Sequence, residues 1–175
     1  KPEGFIALAG AIPTMGALTS LNMSNNRMAT KEAGKALAAA LAANPILTEL
    51  DVSSNNWQKF GGCMGDGSGF VHELVRGLRH SGTMTSLNIS DNQVRAAGAK
   101  HIAAVLSTMG ALTKLDISDN DLRAEGGKVL AEALPETLAL KNIKIAGNKF
   151  GWDAANIRNT SGVRALAEAI QAMPV

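Results

Sequence analysis

The chain has one cysteine, no tyrosine, two tryptophans and four phenylalanines in 175 residues. A single cysteine, Cys63, cannot form an intrachain disulfide. A disulfide-capped extracellular architecture is thereby excluded, and a cytoplasmic, reducing setting is expected. With aromatic residues at 3%, the core must be filled by aliphatic side chains and alanine. Neither charge sign predominates: the formal net charge is +2, with Lys and Arg scattered along the chain. That leaves no electrostatic footprint for nucleic acid or an anionic membrane. There is no apolar run of transmembrane length and no signal-peptide pattern. At 46% hydrophobic, the chain can still bury one sizeable core.

What is present is a nine-residue phrase that occurs five times, with apolar residues at places one, four and six and asparagine at place nine. Its copies are Leu18, Leu21, Met23, Asn26; Leu47, Leu50, Val52, Asn55; Met84, Leu87, Ile89, Asn92; Leu112, Leu115, Ile117, Asn120; and Leu140, Ile143, Ile145, Asn148. The copies start 29, 37, 28 and 28 residues apart. A fixed period in this range marks a solenoid, in which each unit packs on its neighbours.

Places four and six, separated by one polar residue, have strand periodicity with one buried face. Asparagine at place nine falls where the chain leaves the strand, and its amide can both donate to and accept from exposed backbone groups. An asparagine ladder along the solenoid edge is expected. Apolar pairs four residues apart follow, predicting one buried helical stripe per repeat. They are Leu8 and Ile12, Leu37 and Leu41, Leu74 and Leu78, Ile102 and Leu106 with Ala103, Leu130 and Leu134, and Leu166 and Ile170. Strands pack about 4.8 Å apart and helices roughly 8–10 Å apart, so strands must line the inside of an arc. The expected fold is an α/β solenoid, a right-handed horseshoe arc with a concave parallel sheet of about five strands and a convex layer of about six helices.

The period of 28–29 residues with a full helix, and the phrase Leu115-Asp116-Ile117-Ser118-Asp119-Asn120, resemble the ribonuclease-inhibitor-like class of leucine-rich repeats. That class includes ribonuclease inhibitor, the sensing ends of NOD-like receptors, tropomodulin and the Ran GTPase-activating protein. The resemblance covers nearly the whole chain and implies an intracellular scaffold that binds another protein. The stretch from Gly4 to Leu18 matches Gly98 to Leu112, so the chain opens on a helix and stops at Val175, where a further strand is due. Residues 1–175 are expected to be one domain, either a piece of a longer array or a unit that associates end to end.

The period breaks twice. From strand start to helix start the usual spacing is 14 residues, but it is 23 in the second repeat and 22 in the fifth. The insertions, at about 56–69 and 149–161, map to loops on one edge of a solenoid. They hold both tryptophans: Trp57 and Phe60 in the first, Phe150, Trp152 and Arg158 in the second. Trp and Arg are enriched at interface hot spots, which makes these residues candidate partner anchors. The alternative is that each Trp folds back over its own repeat.

The polar places of the strands are expected to face the hollow. Places three, five and eight supply Glu49, Asp51, Asn88, Lys114, Asp116, Asp119 and Lys144, a mildly acidic middle with a basic end at Lys141 and Lys144. Such a face suits a partner of complementary charge. Ser24, Ser53, Ser90 and Ser118 at place seven fit turn-stabilising roles. His72, His80 and His101 lack metal-site spacing, and Cys63 has no evident base partner. No catalytic group, metal or cofactor is expected. The expected function is non-catalytic protein binding through the concave sheet and rim loops. One alternative is a GTPase activator resembling the Ran-directed family, with Arg27 on a suitable loop, although that family's motif is not matched residue by residue. Another is an architectural or assembly segment of a larger receptor-like protein.

Overall fold

The computed structural model describes residues 2–26, 28, 30–55, 68–79 and 81–173. Its five strands are β1 (Ser20–Asn22), β2 (Glu49–Asp51), β3 (Ser86–Asn88), β4 (Lys114–Asp116) and β5 (Asn142–Lys144). They pair in parallel in chain order, and each place of the phrase lies opposite the same place in the next repeat. Ser20, Glu49, Ser86, Lys114 and Asn142 form one row, and Asn22, Asp51, Asn88, Asp116 and Lys144 another. The intervening Leu50, Leu87 and Leu115 point into the core, as period-two alternation requires.

Six α-helices back the sheet among the described residues: α1 (Pro2–Ala11), α2 (Lys31–Ala42), α3 (Ser68–Leu78), α4 (Arg95–Leu106), α5 (Arg123–Ala133) and α6 (Ser161–Ala172). Thr30 caps α2, its side-chain oxygen accepting the Ala33 N–H at 3.2 Å. Leu37, Leu74, Ile102, Leu130 and Leu166, one from each of five successive helices, are buried in the single layer between helices and strands. Gly162 lets α6 lie directly on α5, because a Cβ there would come within 2.5 Å of the Ala124 carbonyl oxygen.

Three of the expected helical-stripe positions differ. Ala103 is half-buried and Val105 is buried in its place, since Ile102, Val105 and Leu106 share the stripe through i, i+3 and i, i+4 spacing. Leu8 and Ile170 are 46% and 45% exposed, while Phe5, Ala9 and Ile12 in the first repeat and Ala169 in the last are buried. A helix at either end of the stack has a neighbouring repeat on one side only, so the outward part of its stripe lacks cover.

The asparagine ladder is continuous. The Asn92 Nδ2 group donates to the carbonyl of Val52 in the preceding repeat at 3.0 Å and to Ile89 and Ser90 of its own repeat at 3.0 and 3.1 Å. Its Oδ1 accepts the backbone N–H of Asn55 at 3.1 Å. Asn55, Asn120 and Asn148 repeat this arrangement. All four are at most 1% exposed, whereas Asn26, in the first repeat, is exposed. A second ladder runs at place two. The hydroxyls of Thr48, Thr85 and Thr113 donate to the carbonyls of Thr19, Thr48 and Thr85 at 3.0–3.1 Å.

Replacing Asn92 leaves the buried Asn55 N–H without a partner, at a cost of about 1–3 kcal/mol, and removes one of the two donors from each of the Val52, Ile89 and Ser90 carbonyls. Asn92→Ala is expected to lower unfolding stability by about 3 kcal/mol or more in chemical denaturation, and Asn26→Ala by under about 1 kcal/mol. Equal losses at both positions would mean that the ladder is not what holds the repeats in register.

Candidate protein-binding surface

The polar rows of the strands line a shallow groove of about 390 Å³ that crosses all five strands. Six of the seven concave candidates meet there: Glu49, Asp51, Asn88, Lys114, Asp116 and Lys144. Their states differ. Asp51 Oδ1 accepts both the backbone N–H and the hydroxyl of Ser53 at 2.9 and 2.7 Å. Asn88 does the same for Ser90, and Asp116 accepts the Ser118 N–H. The Asn88 side chain also donates to Asp51 Oδ2 at 3.1 Å, and Lys144 Nζ lies 3.3 Å from Asp116 Oδ2. Place five is therefore committed to holding the turn after each of the first four strands, Asn22 accepting from Ser24 likewise, whereas Lys144 in β5 pairs with Asp116. Glu49 and Lys114 at place three are exposed, and neither forms an ion pair among the described residues.

Asp119 belongs with the turns rather than the groove. At place eight, Asn25, Ser54, Asp91, Asp119 and Gly147 all have φ between 51° and 69°. Place eight thus turns the chain out of the strand in a left-handed conformation that Asn, Asp and Gly adopt with least strain. The Asp119 side chain remains exposed, and it packs so tightly on Gly147 that any Cβ there would collide with it.

The fifth-repeat insertion is a built element. Trp152 and Arg158 form an antiparallel bridge, flanked by hydrogen bonds from the Asp153 N–H to the Ile157 carbonyl and from the Asn159 N–H to the Gly151 carbonyl. The Asp153 carboxylate accepts the N–H groups of Ala155 and Ile157, both at 2.9 Å, and closes the tip of this small hairpin. Arg123, from the preceding repeat, holds it from outside. Its Nη1 donates to the carbonyls of Asp153 and Ala154 at 2.7 and 3.2 Å and to Asn156 Oδ1 at 2.9 Å. Asp121 in turn fixes the guanidinium, with the Arg123 Nε 3.2 Å away, and also pairs with Lys149 Nζ at 3.0 Å.

The aromatic candidates divide accordingly. Phe150 is half-buried against Gly127 of α5. Trp152 and Ile157 are displayed, at 46% and 63% exposed, with Arg158 also exposed. Sequence reasoning missed Arg123 and Ile157. Arg123 carries no motif, and only the fold brings it to a loop 30 residues away. Trp57, Phe60, Arg27, Cys63 and His80 lie outside the described residues.

On the helical layer, the rings of His72 of α3 and His101 of α4 meet at a tilt of 40° with centroids 4.1 Å apart. Burial and, secondarily, the neighbouring His72 ring lower the His101 pKa below its ordinary value. Among the described residues, no group of three or more His, Cys, Asp or Glu is gathered to hold a metal ion. Nor is any helix among them long and apolar enough to cross a membrane.

The strand–turn–helix units, asparagine ladder and polar groove define a leucine-rich-repeat solenoid of the ribonuclease-inhibitor-like class. A family model described as leucine-rich repeat matches residues 43–56, 80–103 and 112–131. The matched segments fall on the second, third and fourth repeats of the solenoid. The tropomodulin C-terminal domain of Caenorhabditis elegans superposes with a TM-score of 0.66 at 12% identity, covering 96% of this chain and 92% of that one. Actin-binding site 2 of leiomodin-1 gives 0.68 at 18% identity, covering 98% and 92%. The repeat protein LegL7 from Legionella pneumophila gives 0.57 at 20% identity, covering 94% of this chain and 48% of that one. No curated protein sequence matches the chain.

Two outcomes follow from this geometry. Arg123→Ala is expected to accelerate amide hydrogen exchange at Ala155 and Ile157 by about tenfold or more while leaving exchange in β3 and β4 unchanged. Uniform acceleration would show that Arg123 supports the whole fold and not the hairpin. The unfolded chain holds a proton on His101 more readily than the folded one does, so stability is complete above about pH 6.5 and falls as pH drops through the lowered folded-state value. Denaturant midpoints measured across this range are expected to drop on acidification in the native chain and to drop less in His101→Gln.

Proposed function

We propose that the chain is a non-catalytic scaffold for protein–protein interaction in a cytoplasmic setting, binding its partner through the strand groove and the fifth-repeat hairpin. The observation that carries this is the hairpin itself. A side chain from the neighbouring repeat secures it, yet it leaves Trp152, Ile157 and Arg158 exposed. A rigid apolar anchor with Arg beside it is the composition of an interface hot spot, and its prior ordering lowers the entropy lost on binding. The groove adds Glu49 and Lys114 as contacts that a partner can satisfy, with Asp51, Asn88, Asp116 and Lys144 as a polar floor and Asp119 at the rim.

The resemblance of fold to actin-binding site 2 of leiomodin-1 makes actin the first partner to try. Binding to monomeric and filamentous actin is measured by fluorescence anisotropy and co-sedimentation, alongside affinity capture of partners from cell extract. For whichever protein is bound, Trp152→Ala combined with Ile157→Ala is expected to weaken binding by about tenfold or more. If wild type and the double variant recover the same proteins equally, the hairpin is not a binding element.

A further inference from the structure

We propose that the fourth and fifth repeats form a docking surface for an acidic, apolar-bearing segment of a partner protein. The inference rests on the scaffold function above and specifies the chemistry of its partner.

Charge is divided unevenly along the arc. The β2 end of the groove carries Glu49 and Asp51, whereas Lys114, Lys141, Lys144, Lys149 and Arg158 gather in the fourth and fifth repeats. On the strand and hairpin side, the carboxylates of this second region are mostly engaged. Asp116 accepts the Ser118 N–H and pairs with Lys144. Asp121 is shared by Arg123 and Lys149. Asp153 is occupied by the N–H groups of its own hairpin tip. Asp119, in the turn after β4, stays exposed on that side, while Glu132, Glu136 and Glu168 are exposed in or just after the helices.

Among the described residues, Lys114, Lys141 and Arg158 have no carboxylate partner, and all three are exposed. The surface thus offers cationic groups whose full electrostatic gain awaits an incoming anion. Trp152, paired across the hairpin with Arg158, and Ile157 add apolar area in the same repeat. Arg158 beside Trp152 can meet a carboxylate with two parallel hydrogen bonds while the indole covers an apolar neighbour. Interspersed carboxylates and an exposed Ile favour a peptide over nucleic acid, whose continuous phosphates require an unbroken cationic track.

The test presents fluorescent short synthetic peptides to the intact chain. One set combines Asp and Glu with Phe or Leu, a second places Lys and Arg at the same positions, a third is uncharged, and a single-stranded oligothymidine serves as the nucleic-acid arm. The acidic–apolar set is expected to bind, with affinity falling as salt rises. Lys114→Glu and Arg158→Glu are each expected to weaken it by about tenfold. Lys35→Glu, on the exposed face of α2, is expected to leave it within about twofold; Glu49→Lys is measured against the basic set, and circular dichroism confirms that all four variants are folded. Preference for the basic set, with dependence on Glu49, overturns the acidic-partner inference and keeps the scaffold function. Retention of oligothymidine as strongly as the acidic peptides also overturns it. Retention of no probe overturns the inference, while an intact wild-type complex with a protein captured from cell extract preserves the function on which it rests.

Discussion

The fold depends on one requirement: where each short strand ends, carbonyls of two adjacent repeats must be satisfied inside the protein. A buried amide without a partner costs about as much as several ordinary contacts contribute. One asparagine per repeat meets the requirement by donating to its own repeat and to the one before while accepting an N–H from it. This couples neighbours at a fixed register, and the threonine hydroxyls do the same at the opposite end of the strands. Strands of only three residues persist because they are clamped at both ends.

The same coupling explains why the groove is so polar and so inflexible. Side chains at place five face the hollow but spend their acceptors on the serine two residues later, as Asp51 does with Ser53 and Asn88 with Ser90. What remains for a partner is place three and the insertion after the fifth ladder asparagine. Recognition is consequently separated from structure within a single repeat. Neighbouring positions along one strand belong alternately to the scaffold, the turn and the outside world.

The repeat was legible in the sequence because solenoid physics is local: apolar spacing gave the strands, the helices and the asparagine ladder. Register followed as well, since identical places must align for the ladder to form. The helical stripe was harder. Ala103 and Val105 are separated by two positions on a surface where alanine and valine both fit, and Leu8 and Ile170 depend on whether a neighbouring repeat covers them. The insertion was visible as a break in period. Its form was not, because Arg123 and the hairpin tip meet only in three dimensions. The threonine ladder did leave a signal, the same residue at place two in four of five phrases. Place eight lies off the period-two alternation of places three and five, at a position where positive φ has already turned the chain out of the strand.

Arg123 has a φ of 59°, a conformation that glycine adopts with far less strain. Glycine at that position would relax the turn and at the same time release the hairpin. Backbone strain and the anchoring of the hairpin therefore pull this one residue in opposite directions. The guanidinium's bonds to the hairpin and to Asp121 offset that strain, and Arg95, at the same place in the third repeat, has the same left-handed conformation.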